Sequence, residues 1–285
     1  MTETNFSLTD NIFEDVINTA LKEDFGNGDL TTDLIIPSSL NAKAFLQSKA
    51  EGIIAGLKVA ESVFKKLDPE IKWRQLVNDG DKIKRGDVLV KFEGTYKAIL
   101  TGERTGLNFL QRMSAIATAA SKFVEAVSGT KVKILDSRKT APGLRMIDKY
   151  AVKIGGGTNH RIGLYDMVLI KDNHIKIAGG ITSAVNQVRA KLKSGIKIEV
   201  ETSTIEEVEE AIKLKVDLIM LDNMSTEMMK HAVELINGSA LIEASGNMSL
   251  DRVKEVADTG VDFISVGALT HSVTALDIAQ YIETN

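Results

Sequence analysis

The chain has 285 residues, 44% of them hydrophobic and 26% charged, with three prolines, no cysteine and a formal net charge of −4. That length suits one large barrel or two domains, and the ordinary composition argues against disorder or fibrous repeats. The lack of cysteine excludes disulfides, thiolate nucleophiles and Cys-type zinc sites, and it fits a reducing compartment, here expected to be the cytoplasm. The negative balance argues against sequence-independent binding of nucleic acid. No run approaches the roughly 18 apolar residues of a membrane span, and "MTETNFSLTD" lacks the basic start and apolar core of a secretory signal.

Taken in chain order, residues 8–24 space Ile12, Val16, Ile17, Ala20 and Leu21 at helical intervals, with Thr9 or Asp10 placed to cap the start. The glycines of "FGNGDLTTD" end that helix. Short alternating stretches follow, "AKAFLQSKA", "EGIIAG", "IKWRQLVNDGDKIKRGDVLVKFEG" and "YKAIL", whose Asp-Gly and Arg-Gly punctuation predicts antiparallel strands and tight turns. The "GDKIKRGDVL" portion resembles the hammerhead of biotinyl and lipoyl carrier domains. It lacks a lysine set between methionines, so these strands are read as a platform.

From about residue 103 a long helix is predicted, with Leu107, Leu110, Met113 and Ala117 on one face and alanines plus Gly102 permitting close approach. A domain boundary is set near 110. Beyond it, apolar runs at 131–136, 151–155, 166–172, 196–201, 216–223, 240–245 and 261–267 alternate with amphipathic segments. Such alternation predicts parallel strands covered on both faces, and a barrel is the favoured closure. An open doubly wound sheet would carry a dinucleotide fingerprint after its first strand, which "LDSRKTAPGLR" is not.

The candidate reactive residues fall at the C-terminal ends of these predicted strands, where barrel enzymes build their sites. Arg138 and Lys139 follow "KILD"; three glycines, His160 and Arg161 follow "AVKI"; Lys171, Asp172, Asn173 and His174 follow "MVLI". Later strands end in Glu201, in Asp222, in Ser245-Gly246-Asn247 and in Gly267-Ala268. The two arginines can grip carboxylates or phosphates bidentately, while the lysines serve as compact charges. Glu201 and Asp222 suit sugar hydroxyls, or magnesium bridging to a phosphate, and the small residues of the last two strand ends suit a phosphate. Bland readings exist for each: a lone Lys or Arg is usually a solvated charge, His174 and His271 can be structural, and glycines 155–157 can be a turn. Glu199 and Glu201 are expected to divide, one toward the barrel interior and one toward its helices.

The motifs "ERTGLNFLQRMSAIAT", "DSRKTAPGLR", "KIGGGTNHRIGLYDMVLIKDNHI", "LDNMS", "EASGNM" and "SVGALTHS" follow one another in order between residues 103 and 272. In combination they resemble the quinolinate phosphoribosyltransferases. The resemblance implies an N-terminal α/β sandwich domain (1–110, joined by about 272–285) and an incomplete seven-stranded α/β barrel (111–271). It implies a homodimer, or a hexamer built from dimers, in which Arg104 reaches the neighbouring pocket. Arg104, Arg138, His160, Arg161 and Lys171 would hold the carboxylates of quinolinate, and Lys139 the pyrophosphate of phosphoribosyl pyrophosphate. Glu201 and Asp222 would meet the ribose with Mg2+ nearby, Asp172 being a further metal contact. Ser245, Gly246, Asn247, Gly267, Ala268 and His271 would form the 5-phosphate end.

Three other readings are separable from this one. A relative with another base would need fewer cations than this chain carries. A barrel isomerase or aldolase would use Lys171 as a Schiff base, and a carrier module would display a modified lysine.

Overall fold

The computed structural model describes residues 13–283, and the expected caps Thr9 and Asp10 lie outside them. Helix α1 (Glu14–Phe25) buries Ile17 and Leu21 and stops at Gly26, whose φ of 51° only glycine adopts at little cost. Helix α2 (Leu30–Ile35) follows, capped by Asp29, which accepts a hydrogen bond from the Thr32 amide. Next come strands β1 (Asn41–Ser48) and β2 (Gly52–Ile53), helix α3 (Leu57–Leu67), strands β3 (Lys72–Gln75), β4 (Lys82–Ile83) and β5 (Val88–Thr95), and helix α4 (Tyr96–Ala126). The stretch "YKAIL", expected as a strand, is the first turn of α4. Its Ile99 begins a helical stripe with Gly102, Gly106, Leu110 and Met113, so helical period 3.6 wins over the short apparent alternation.

After α4 the chain runs through β6 (Lys133–Leu135), α5 (Arg145–Ile154), β7 (Val168–Ile170), α6 (Asp172–Ala178), α7 (Ile181–Arg189), β8 (Ile198–Thr202), α8 (Ile205–Lys213), β9 (Leu218–Asp222), α9 (Thr226–Ile236), β10 (Leu241–Ser245), α10 (Leu250–Ala257), β11 (Phe263–Ser265), α11 (Ala268–His271) and β12 (Ile278–Ile282). The run "AVKIG", expected as the second barrel strand, is the end of α5, which buries Ile147, Tyr150, Ala151 and Val152. The second strand position is reduced to one parallel bridge between Thr158 and Leu135.

Contacts divide the described residues into two compact units. The first holds residues 13–121, 140–156 and 272–283. Its antiparallel sheet, ordered β12-β1-β5-β3, covers a core in which Phe64, Trp73 and Phe92 meet with ring centroids 4.9–5.5 Å apart. Gly102 and Gly106 let α4 lie on Phe64, where a Cβ would come within 2.8 and 2.9 Å of the ring. The second unit, residues 122–139 and 157–271, holds a parallel sheet ordered β6-β11-β10-β9-β8-β7. With the bridge at Thr158 beside β6, this is the mixed α/β, incomplete-barrel class anticipated.

Strand register sets the layers inside that second unit. Leu135, Leu218 and Phe263 form a buried apolar plug. Two residues further along β8, β9 and β10, side chains return to the same face. In the pairs Glu243↔Met220 and Ser245↔Asp222 the register puts a middle layer below a rim.

Candidate active site

Above the plug opens a cavity of about 850 Å³. Among the expected site residues Arg138, Lys139, His160, Arg161, Lys171, Glu201, Asp222, Ser245, Gly246, Asn247, Gly267, Ala268 and His271 all line it. Two do not: Asp172 starts α6 as an exposed residue, its carboxylate accepting from the Asn173 amide, and Arg104 is exposed on α4 in the first unit. Sequence reasoning missed Asp136, Ser137, Met220, Asn223, Glu243, Met248 and Ser265, which also line the cavity. The strand alternation that selects Glu201, Asp222 and Ser245 also selects Met220, Glu243 and Ser265, had it been carried one step inward.

The cationic wall comes from the loops after β6 and before β7. Lys139 is fixed by its carbonyl, which accepts from the Thr270 hydroxyl at 2.9 Å, and by its amide, which donates to Ser137 Oγ. The Arg161 guanidinium donates to the Met167 carbonyl at 3.0 Å. Burial first, and then the Arg138 charge beside it, makes the Arg161 guanidinium a weaker base than usual. Two arginines held so that each opposes the other's charge leave a place that an anion would relieve.

The acidic rim stands opposite. Lys171 at the end of β7 donates to Glu201 Oε2 across to β8 at 2.7 Å, with Lys171 nearly half exposed (46%) and Glu201 at 13%. His174 Nδ1 accepts from the Lys171 amide, so this histidine has the structural part that the bland reading allowed. Asp222 Oδ2 accepts from the Asn223 side chain at 2.7 Å. The phosphate-sized end is shaped by backbone: Gly246 at φ 97°, where a Cβ would collide with the Asn223 carboxamide, and Asn247 and Asn223 at φ 48° and 55°. Arg252 ties this end together by donating to the carbonyls of Gly246 and Met224.

Two expectations are corrected here. Glu199 and Glu201 do not divide between faces, because residues two apart on a strand share a face; Glu199 is fully buried one layer below Glu201. The glycines that precede His160 do not line the cavity either. At Gly155 the need is packing: a Cβ would strike the Ala117 carbonyl of α4 and come within 2.8 Å of Ala120.

Below the cations lies a buried trio. His160 Nε2 is 3.1 Å from Glu199 Oε2 and 3.2 Å from Glu243 Oε2, and both carboxylates have no exposure. Desolvation disfavours charge on the ring and the neighbouring Glu243 and Glu199 favour it; the contact at Nδ1 settles the balance for the neutral ring, because a backbone donor leaves no room for a second ring proton. Burial, then Glu243, raises Glu199. The Arg161 amide points at His160 Nδ1 from 2.7 Å, which makes Nδ1 an acceptor and leaves the ring proton on Nε2, facing the carboxylates. By composition the three groups match a metal site, yet a metal-bound Nε2 requires a proton on Nδ1 to donate outward. The Arg161 amide occupies that position, so the trio does not fit a metal ion.

Against known proteins, residues 29–114 match the model of the quinolinate phosphoribosyl transferase N-terminal domain and residues 116–280 that of its C-terminal domain. The chain belongs to the quinolinate phosphoribosyltransferase family. It is 48% identical over 290 residues to "Quinolinate phosphoribosyltransferase [decarboxylating] 2b, mitochondrial" of Nicotiana tabacum, covering 95% of this chain and 82% of that one. Its identity to the "Probable nicotinate-nucleotide pyrophosphorylase [carboxylating]" of Synechocystis sp. is 43%, over 93% and 90% of the two chains. In structure it is similar to NadC from Streptococcus pyogenes, with a TM-score of 0.93 at 39% identity over 96% and 97% of the chains. The nicotinate-nucleotide pyrophosphorylase of Ehrlichia chaffeensis gives 0.91 at 42% identity over 95% and 98%. No helix among the described residues is long and apolar enough to cross a membrane.

Proposed function

We propose that this chain transfers the phosphoribosyl group of phosphoribosyl pyrophosphate to quinolinate with loss of carbon dioxide, giving nicotinate mononucleotide and pyrophosphate for NAD biosynthesis. The observation that carries the reading is one cavity in which Arg138, Arg161 and Lys139 face Glu201 and Asp222. A doubly ionised ring and a charged sugar need both signs of charge within reach. Arg138, Arg161 and Lys171 bind the dicarboxylate, joined by Arg104 from a neighbouring copy in a homodimer or dimer-based hexamer. His160, whose ring nitrogens are both engaged by protein groups, supports the wall from beneath.

As the pyridine nitrogen attacks the anomeric carbon, the ribose gains oxocarbenium character, which the Glu201 and Asp222 carboxylates favour, while Lys139 favours the departing pyrophosphate. The positive charge on the quaternised ring nitrogen then stabilises the electron pair left on the adjacent carbon as the bond to the 2-carboxylate breaks, and a proton takes up that pair where carbon dioxide has left. The arginines keep the 3-carboxylate in place throughout. Ser245, Gly246, Asn247, Gly267, Ala268 and His271 hold the 5-phosphate.

Glu201 and Asp222 fit magnesium as hard oxygen donors. Each has one oxygen bonded to a neighbouring side chain, Lys171 or Asn223, and its other oxygen remains for a cation shared with substrate phosphates. When bound there, magnesium supplies charge neutralisation at the pyrophosphate. A Schiff-base role for Lys171 is disfavoured, since such lysines are activated by desolvation or a second cation, and this one is nearly half exposed on a carboxylate. A cysteine-free chain also suits work in the cytoplasm.

The test is release of labelled carbon dioxide from the 2-carboxylate of quinolinate. It is expected to require phosphoribosyl pyrophosphate and magnesium together. Faster turnover of nicotinate than of quinolinate, or trapping of a Lys171 adduct by borohydride, would overturn the reading.

A further inference from the structure

The proposed reaction uses Arg161 but leaves unexplained why three acids are buried behind it. Asp136, Glu199 and Glu243 come from β6's end, β8 and β10, and each is wholly buried. Ionised or half-ionised carboxyl groups in such a place are costly unless they bond to something. What they face, by hydrogen bond or by charge, is one short segment. Asp136 Oδ1 accepts the His160 amide at 2.8 Å and Oδ2 accepts the Asn159 carboxamide at 2.6 Å. Glu199 and Glu243 meet the His160 ring at Nε2. The ring passes this on at its other nitrogen, where Nδ1 accepts the Arg161 amide at 2.7 Å.

We propose that Glu199 and Glu243 are positioning residues for the dicarboxylate: acting through the His160 ring, they fix the Arg161 backbone so that its guanidinium enters the cavity in a single orientation. The chain of contacts is directional. The carboxylates hold the proton on Nε2; that makes Nδ1 the acceptor; the Arg161 amide is bound there; and the guanidinium is steadied at its far end by the Met167 carbonyl. A ring with Nδ1 protonated would face the Arg161 amide donor to donor and push the backbone away. Of the two glutamates, Glu243 is the one that lines the cavity. The inference rests on the proposed use of Arg161 for quinolinate.

The consequence is a split between the two substrates. Glu243→Leu is expected to raise KM for quinolinate roughly tenfold to a hundredfold, as small misplacements of a clamping group do, with KM for phosphoribosyl pyrophosphate within about twofold. Glu243→Gln, which keeps a carbonyl oxygen beside Nε2, should restore most of the loss, and Arg161→Met should cost much less in the Glu243→Leu background than alone. A rise in both KM values together, or a full additive cost of Arg161→Met, overturns the proposal. Should the leucine variant not fold, nitrogen-15 resonances of the histidine-labelled wild-type protein decide instead: Nδ1 of His160 unprotonated supports the anchor, and Nδ1 protonated sinks it. That measurement needs no substrate, so it stands even where quinolinate turnover fails and the functional reading falls.

Discussion

Arg138 and Arg161 make the cavity's demand for an anion a local property, since the Arg138 charge acts directly on a partly buried Arg161. Replacing Arg138 by methionine removes a bidentate donor from a desolvated carboxylate. The expected cost is about 2–5 kcal/mol in transition-state stabilisation, read as a fall of roughly 30- to 4,000-fold in kcat/KM for quinolinate. Steady-state kinetics with quinolinate varied at saturating phosphoribosyl pyrophosphate checks it; a change below fivefold would remove Arg138 from the binding wall. Most of this scale is legible in the sequence. Arg138, Lys139, Arg161, Lys171, Glu201 and Asp222 announce themselves because a charge at the end of a buried apolar run has few structural reasons to be there. Glu243 does not, because inside "ALIEAS" a single acid reads as an interruption, and nothing local says that His160 will lie against it.

At the scale of elements, α4 and α5 are joined by one buried ion pair and one missing side chain. Arg112 on α4 donates from Nε and Nη2 to both oxygens of Asp148 on α5, each at 2.8 Å, and Asp148 has no exposure. Desolvation raises the Asp148 carboxyl, opposed by Arg112. With Arg112→Met that opposition goes and the buried carboxylate stands alone, a loss expected at about 3–5 kcal/mol. The carboxyl's folded-state pKa then rises further above its unfolded value, so the folded state binds the proton more tightly and the penalty shrinks as pH falls. Thermal melts of the variant in acid and at neutral pH measure this; a penalty equal at both would mean that Asp148 is not the group left behind. Gly155→Ala tests the second joint, since the added methyl group strikes the Ala117 carbonyl. A loss of about 1–3 kcal/mol is expected, visible in denaturant midpoints. The sequence offers three glycines at this point without telling a packing joint from an anion loop. In the same way "AVKI" and "YKAIL" are too short for period alone to separate strand from helix.

On the scale of the whole molecule, the reading that Arg104 serves a neighbouring copy makes activity a property of the assembly. Neither Arg104→Ala nor Glu201→Gln chains should be active alone. Mixed and allowed to exchange subunits, they should regain activity at about one quarter of the sites, because half of the dimers are hybrid and each hybrid has one intact site. No recovery on mixing, with exchange verified by mass spectrometry, would return Arg104 to its own chain. Alternation of strands and helices, the charges at strand ends and the family motifs are written along the chain, since period, composition and local spacing are one-dimensional quantities. Tertiary structure alone decided that "AVKIG" would finish a helix, that Glu199 would lie fully buried a layer below Glu201, and that Glu243 and Glu199 would meet the His160 ring. Those outcomes depend on which strands close around which loop, and burial of a charge has no cost until that closure removes it from water.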